Sequence, residues 1–192
     1  ALQRRGGTPK VSDCAKLNTL IRYIKRHPSG ILFRKIAGPL KLLGFSDSAF
    51  KAKEEEGSGL ALRGLAVCLV QDVPGQLAGE NTECQLLDAL CRKLRRVVRS
   101  TFSAELNSLL DALEVLLMTQ LTYHEVLYGV EDNPEVLLEQ LEAGVLQPPI
   151  DLAVDAKAVY DALTAADVCT PQEQSLKMHL IALRDKMAKG II

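Results

Sequence analysis

The chain has 192 residues, 47% of them hydrophobic and 24% charged, with a formal net charge of −1. That is enough for one full domain, or one domain plus a fragment of another, in an ordinary soluble globular composition. No run approaches about 18 apolar residues, no signal-peptide pattern opens the chain, and the near-neutral charge excludes whole-molecule attraction to a polyanion.

In chain order, "TPKVSDCAKLNTLIRYIKRHPSG" reads as a helix. Pro9 suits a first turn, Val11, Leu17, Leu20, Ile21 and Ile24 recur at helical spacing, and His27-Pro28 with Gly30 stops it. A short apolar stretch, Ile31 to Ile36, follows. Gly38-Pro39 then predicts a boundary between residues 1–37 and 38–192. "LKLLGFSDSAF" is strand-like, and the polar "KAKEEEGSG" fits a hairpin turn into the apolar strand "LALRGLAVCLV". "ECQLLDALCRK" is a third strand, although its pattern also serves a helix.

A long helix comes next, capped by Ser100 or Thr101, with Leu106, Leu109, Leu110, Leu113, Leu116 and Leu117 as its buried stripe. "NPEVLLEQLEAG" is a short helix with Asn133 as cap, Pro134 at its first position and Gly144 at its end. "IDLAV" is a buried-strand pattern ending at Asp155, and "DAKAVYDALTAA" turns helical at once. "TPQEQSLKMHLIALRDKMAKG" is the last helix, capped by Thr170 ahead of Pro171, and at "GII" another strand begins. The order predicts an α/β domain with a mixed sheet.

Three carboxylates stand out by position. Asp47 ends the apolar run of the first strand, and Asp155 ends the fourth. Glu105 lies about 60° from Phe102 and about 40° from Leu109 on a helical wheel, at the edge of the apolar arc. Acids at strand ends of an open α/β sheet lie where ligands usually bind. If the two strands are neighbours and the helix crosses them, the three carboxylates converge and repel, and burial raises the cost of ionising them. Divalent cations relieve such a cluster, and an all-oxygen donor set favours magnesium. Two ions about 4 Å apart can stabilise both the attacking and the leaving oxygen of a phosphodiester cleavage. Ordinary explanations compete: Asp155 directly precedes a helix it can cap, and an acid beside an apolar stripe commonly forms an ion pair. Spacing alone leaves these open.

The run "CRKLRRVVRS" supplies Arg92, Lys93, Arg95, Arg96 and Arg99 ahead of the long helix. It can hold phosphates, with an affinity that falls as salt rises, or it can be a solvated face. Cys14, Cys68, Cys84, Cys91 and Cys169 show no CxxC spacing, so neither a zinc site nor a disulfide framework is expected. His124-Glu125 lacks the second histidine of an HExxH site, and the glycines match no phosphate loop.

These residues resemble a known family. "GFSDSAF" is similar to the "YSDASF"-like first strand of the ribonuclease H domain in retrotransposon polyproteins. "CRKLRRVVRSTFSAEL" resembles a copia-type stretch reading like "SRKQRRVVRSTFAAEL", and "LAVDAKAVYDAL" resembles the family's fourth strand and following helix. Upstream, "TPKVSDCAKLNTLIRYIKRHPSGILF" is similar to the helix and strand that close the copia-type reverse transcriptase. The resemblance spans essentially the whole chain, with three motifs in order.

The resemblance implies a reverse transcriptase tail over residues 1–37. Over 38–192 it implies a ribonuclease H-like domain: three antiparallel strands, a parallel fourth, flanking helices and a truncated fifth strand. It implies that Asp47, Glu105 and Asp155 bind two Mg2+ (or Mn2+) ions, and that water attacks the RNA strand of an RNA–DNA hybrid. The basic run would approach the hybrid's backbone. The partner would be the rest of the Pol polyprotein, inside the cell, in a cytoplasmic particle or the nucleus, with no membrane. The family's fourth acid sits in an "AD" motif after the fifth strand, and the sequence given stops before it, at Ile192. Cys91 and Leu94 also replace a serine and a glutamine common in related elements. A start at Ala1 without methionine fits a piece of something longer. Without the fourth acid, a fragment or decayed copy of weak activity is expected, and the missing partner strand bares a sheet edge, so poor solubility is expected. The alternatives are a non-catalytic nucleic-acid-binding or connecting domain that keeps the fold, and a plain interaction domain whose acids are caps and surface charges.

Overall fold

The structure, a computed structural model, describes residues 10–28, 30, 32–50, 61–73, 82–94, 97–167 and 174–192. Its backbone divides into two units, one up to Arg34 and one from Lys35 to Ile192.

The first unit is built on α1 (Val11–Arg26). Asp13 Oδ2 accepts the Lys10 backbone N–H at 3.1 Å, which satisfies one of the donors a helix N-terminus leaves open. Lys25 and Arg26 in the last turn complement the helix dipole. The helix stops at His27, whose N–H donates to Tyr23 O, because Pro28 has no N–H to continue the ladder. Leu17, Leu20, Ile21 and Ile24 form the expected stripe and are exposed. Pro9 and Ile31 lie outside the described residues, and residues 32–37 carry no helix or strand.

The second unit runs β1 (Leu40–Ala49), β2 (Leu62–Gln71), β3 (Cys84–Lys93), α2 (Thr101–Tyr128), α3 (Pro134–Glu142), β4 (Ile150–Val154), α4 (Lys157–Thr164) and α5 (Ser175–Ala188). The sheet order is β3-β2-β1-β4. β2 is antiparallel to both β1 and β3, while β1 and β4 are parallel. This is the mixed sheet that the element order predicted, with the parallel fourth strand that the family resemblance implied. The hairpin segment "KAKEEEGSG" lies outside the described residues. β3, ambiguous in sequence, is a strand because β2 offers it a full antiparallel edge, with an irregularity between Val67 and Cys68.

Alternation on β1 turns Leu42, Gly44 and Ser46 inward. Leu42 belongs to one core cluster with Leu65, Val67 and Leu69 of β2 and Leu106, Leu109, Leu113 and Leu116 of α2. Gly44 lets the helix approach: a Cβ there would lie 3.0 Å from side-chain carbons of Leu116 and Leu152. Ser100 caps α2 by accepting the Ser103 N–H at 3.0 Å. Further along, Gln120 donates to Leu146 O at 3.2 Å and Pro148 O at 2.9 Å, fastening α2 to the approach to β4.

Thr170 lies outside the described residues, and α5 starts at Ser175. Residues 190–192, where the sequence suggested the start of a strand, lie just past the end of α5 and carry no helix or strand. Gly190 adopts φ +67° and Ile191 N–H donates to Lys186 O. Among the described residues no helix is long and apolar enough to cross a membrane.

Candidate metal centre

Ser46–Val154 is the last pair in the parallel ladder of β1 and β4. Asp47 and Asp155 each follow that pair by one residue, on strands spaced about 4.8 Å apart. Glu105 is in the second turn of α2, which starts after the C-terminal end of β3 and packs over β1 and β2. β1, β3 and β4 all point the same way, so α2 begins at the sheet end that carries both aspartates. One carboxylate oxygen from each of Asp47, Glu105 and Asp155 lies within 4.8 Å of the others. Asp47 and Asp155 are exposed, whereas Glu105 is only 6% exposed.

Neither ordinary explanation fits. The N-cap of α4 is Ala156, with no side-chain hydrogen bond to the helix, so Asp155 does not cap it. Among the described residues no lysine or arginine forms an ion pair with any of the three acids. Burial pushes the Glu105 carboxyl above the usual glutamate range, and the charges of Asp155 and Asp47 push the same way. Ser48 lies close enough to oppose that rise, yet neither its hydroxyl nor Glu105 Oε2 completes a hydrogen bond. A buried acceptor without a donor costs about 1–3 kcal/mol, and more when charged. A proton or a cation removes that cost. The donor set is all carboxylate oxygen, held at the ends of two strands and on a helix, the kind of set that hard cations take. The cluster can hold a metal ion.

Two residues missed in the sequence lie directly behind the acids. Ser46 Oγ donates to Ser108 Oγ at 3.1 Å, and Ser108 Oγ donates to Asp47 O at 2.8 Å. Both serines are buried. The available signal was weak: a serine set in a leucine stripe, three residues after Glu105.

The basic residues reach the same region. Asp47 faces Gly64, and Gly64 faces Cys91, so Arg92 and Lys93 close β3 at the aspartate end, two strands or about 10 Å away. Arg99 precedes the α2 cap. Arg92 and Arg99 are exposed and Lys93 is half-buried, while Arg95 and Arg96 lie outside the described residues. Arg63, opposite both Ser48 and Arg92, pairs with Asp111 of α2. A cleft of about 530 Å³ opens along the ends of β1, β2 and β4 and is lined in part by Asp47, Asp155 and the exposed Phe45. Comparison with protein-family models, curated proteins and solved structures gives no match.

Proposed function

We propose that residues 38–192 form a retroelement ribonuclease H domain of copia type, which hydrolyses the RNA strand of RNA–DNA hybrids with divalent cations. The observation that carries this reading is the meeting of Asp47, Glu105 and Asp155 within 4.8 Å, from three separate elements. The likeness of "GFSDSAF", "RRVVRSTFSAEL" and "LAVDAKAVYDAL" to that family's motifs supports it.

Asp47 and Asp155, being exposed, leave room beside their carboxylates for a phosphodiester and a water. Glu105 is the fixed ligand, set from beneath by the helix. When bound, a pair of divalent ions supplies the charge that activates water and neutralises the leaving oxygen. Arg92, Lys93 and Arg99, with Arg95 and Arg96 of the same run, draw the polyanion to an otherwise acidic site. Residues 1–37 belong, on this reading, to the end of a reverse transcriptase.

The test is a labelled RNA–DNA hybrid incubated with Mg2+ and the protein, beside an Asp47→Asn control. Cleavage lost in the control supports hydrolysis by this centre. Hybrid binding without cleavage points to a non-catalytic nucleic-acid-binding domain, and no binding at low salt sinks both readings.

A further inference from the structure

We propose that Ser108 is a positioning residue that fixes the placement of Glu105 against Asp47. The proposal rests on reading these carboxylates as a metal centre. Ser108 is 0% exposed, in the middle of the face that α2 lays on the sheet. A serine inside a helix ordinarily turns its hydroxyl back to the carbonyl four residues earlier. Thr119 and Thr122 do this in the same helix, donating to Val115 O and Met118 O. Ser108 instead crosses to β1 and donates to Asp47 O at 2.8 Å, while Ser46 donates into its oxygen at 3.1 Å.

Burying a hydroxyl costs free energy unless it is bonded, and alanine would suit the helix better. What the hydroxyl adds is a fixed register. Leucine contacts along α2 and β1 are non-directional and tolerate small slides, whereas a short hydrogen bond does not. One end of this bond is the backbone of one ligand, Asp47. The other end lies three residues, or about 4.5 Å of helix rise, from the next ligand, Glu105. The link is therefore short and stiff on both sides. Without it, the carboxylate spacing is free to drift.

The experiment compares Ser108→Ala and Ser46→Ala in the full chain. It measures Mn2+ affinity by calorimetry, and amide hydrogen exchange at residues 46–49 without metal. Ser108→Ala is expected to weaken Mn2+ binding about tenfold, as removal of an outer-shell partner typically does, and to speed exchange at the end of β1. Ser46→Ala leaves the Ser108–Asp47 bond intact and is expected to stay within about twofold of the parent for Mn2+. A folded Ser108→Ala protein that binds Mn2+ like the parent overturns the proposal, as does an equal loss in both variants. Ser108→Cys, similar in shape and a poorer donor, gives the same comparison if the alanine variant does not fold. A parent that binds no Mn2+ sinks the metal-centre reading instead. The positioning role is then decided by exchange, and unchanged protection at 46–49 in Ser108→Ala overturns it.

Discussion

Asp47 and Asp155 stand side by side on parallel neighbours, each one residue beyond the Ser46–Val154 pair. Parallel neighbours cannot be joined by a tight turn, so the chain must cross over the sheet between them. The crossover contains α2, and α2 begins at the same end of the sheet as the two aspartates. The topology that pairs the aspartates thus also delivers Glu105.

Glu105→Gln is expected to stabilise the metal-free protein at neutral pH, by an amount on the order of 1 kcal/mol. The charge it removes is buried, has an unpartnered Oε2 and faces two other carboxylates. The same change should abolish tight Mn2+ binding. Thermal melts with and without Mn2+ check both halves, and a variant less stable than the parent without metal contradicts the first.

The pH dependence follows from the direction of the Glu105 shift. Its folded-state pKa is raised, so the stability it contributes is fully present below the ordinary glutamate value. That stability is lost as pH rises through the folded value. Relative to Glu105→Gln, which lacks the titration, the metal-free parent should therefore weaken as pH rises above the ordinary glutamate range. Metal competes with the same proton, so Mn2+ affinity should fall on acidification and binding should release protons. Calorimetry in two buffers of different ionisation heat measures that release.

Hybrid affinity should fall steeply with salt. Replacing Arg92, Lys93 and Arg99 with alanine should flatten the dependence of log K on log salt, by about 0.7–0.9 for each phosphate that is no longer neutralised. All three lie at the sheet end that carries Asp47. An unchanged slope in the triple variant would assign these cations to solvent.

The strands β1, β2 and β4 were legible because each is an apolar run bounded by turn residues or a terminal acid. "ECQLLDALCRK" reads as a strand less securely, since its leucines suit either period, and the open edge of β2 decides for the strand. The acids could be picked out as strand-end and stripe-edge residues, but their convergence depends on the order β3-β2-β1-β4, which no local pattern carries. The wheel put Glu105 at the border of the apolar arc, while the sheet end leaves it 6% exposed. Ser108 was invisible for a similar reason: its partner, Asp47 O, is 61 residues away in sequence. "GII" has strand-like composition, yet it follows directly on α5, with Gly190 at positive φ and Ile191 N–H bonded back to Lys186 O.

Gly44 gives a test of how helix placement controls the site from a distance. It lies in β1 beneath α2, where an added Cβ would come within 3.0 Å of Leu116 and Leu152 side-chain carbons. Those atoms are ends of flexible side chains, so Gly44→Ala should be tolerated at roughly 1 kcal/mol, and Gly44→Val should cost about 1–3 kcal/mol by overpacking. The strain acts on the helix that carries Glu105, so Mn2+ affinity should fall along with the melting temperature in Gly44→Val. Adding Leu116→Ala opens space above the new side chain. The double variant should then recover Mn2+ affinity relative to Gly44→Val, even though losing the leucine costs core stability of its own. Recovery of affinity without recovery of stability is the expected signature. Weak binding that persists in the double variant would mean that Gly44 affects the site by some route other than helix height.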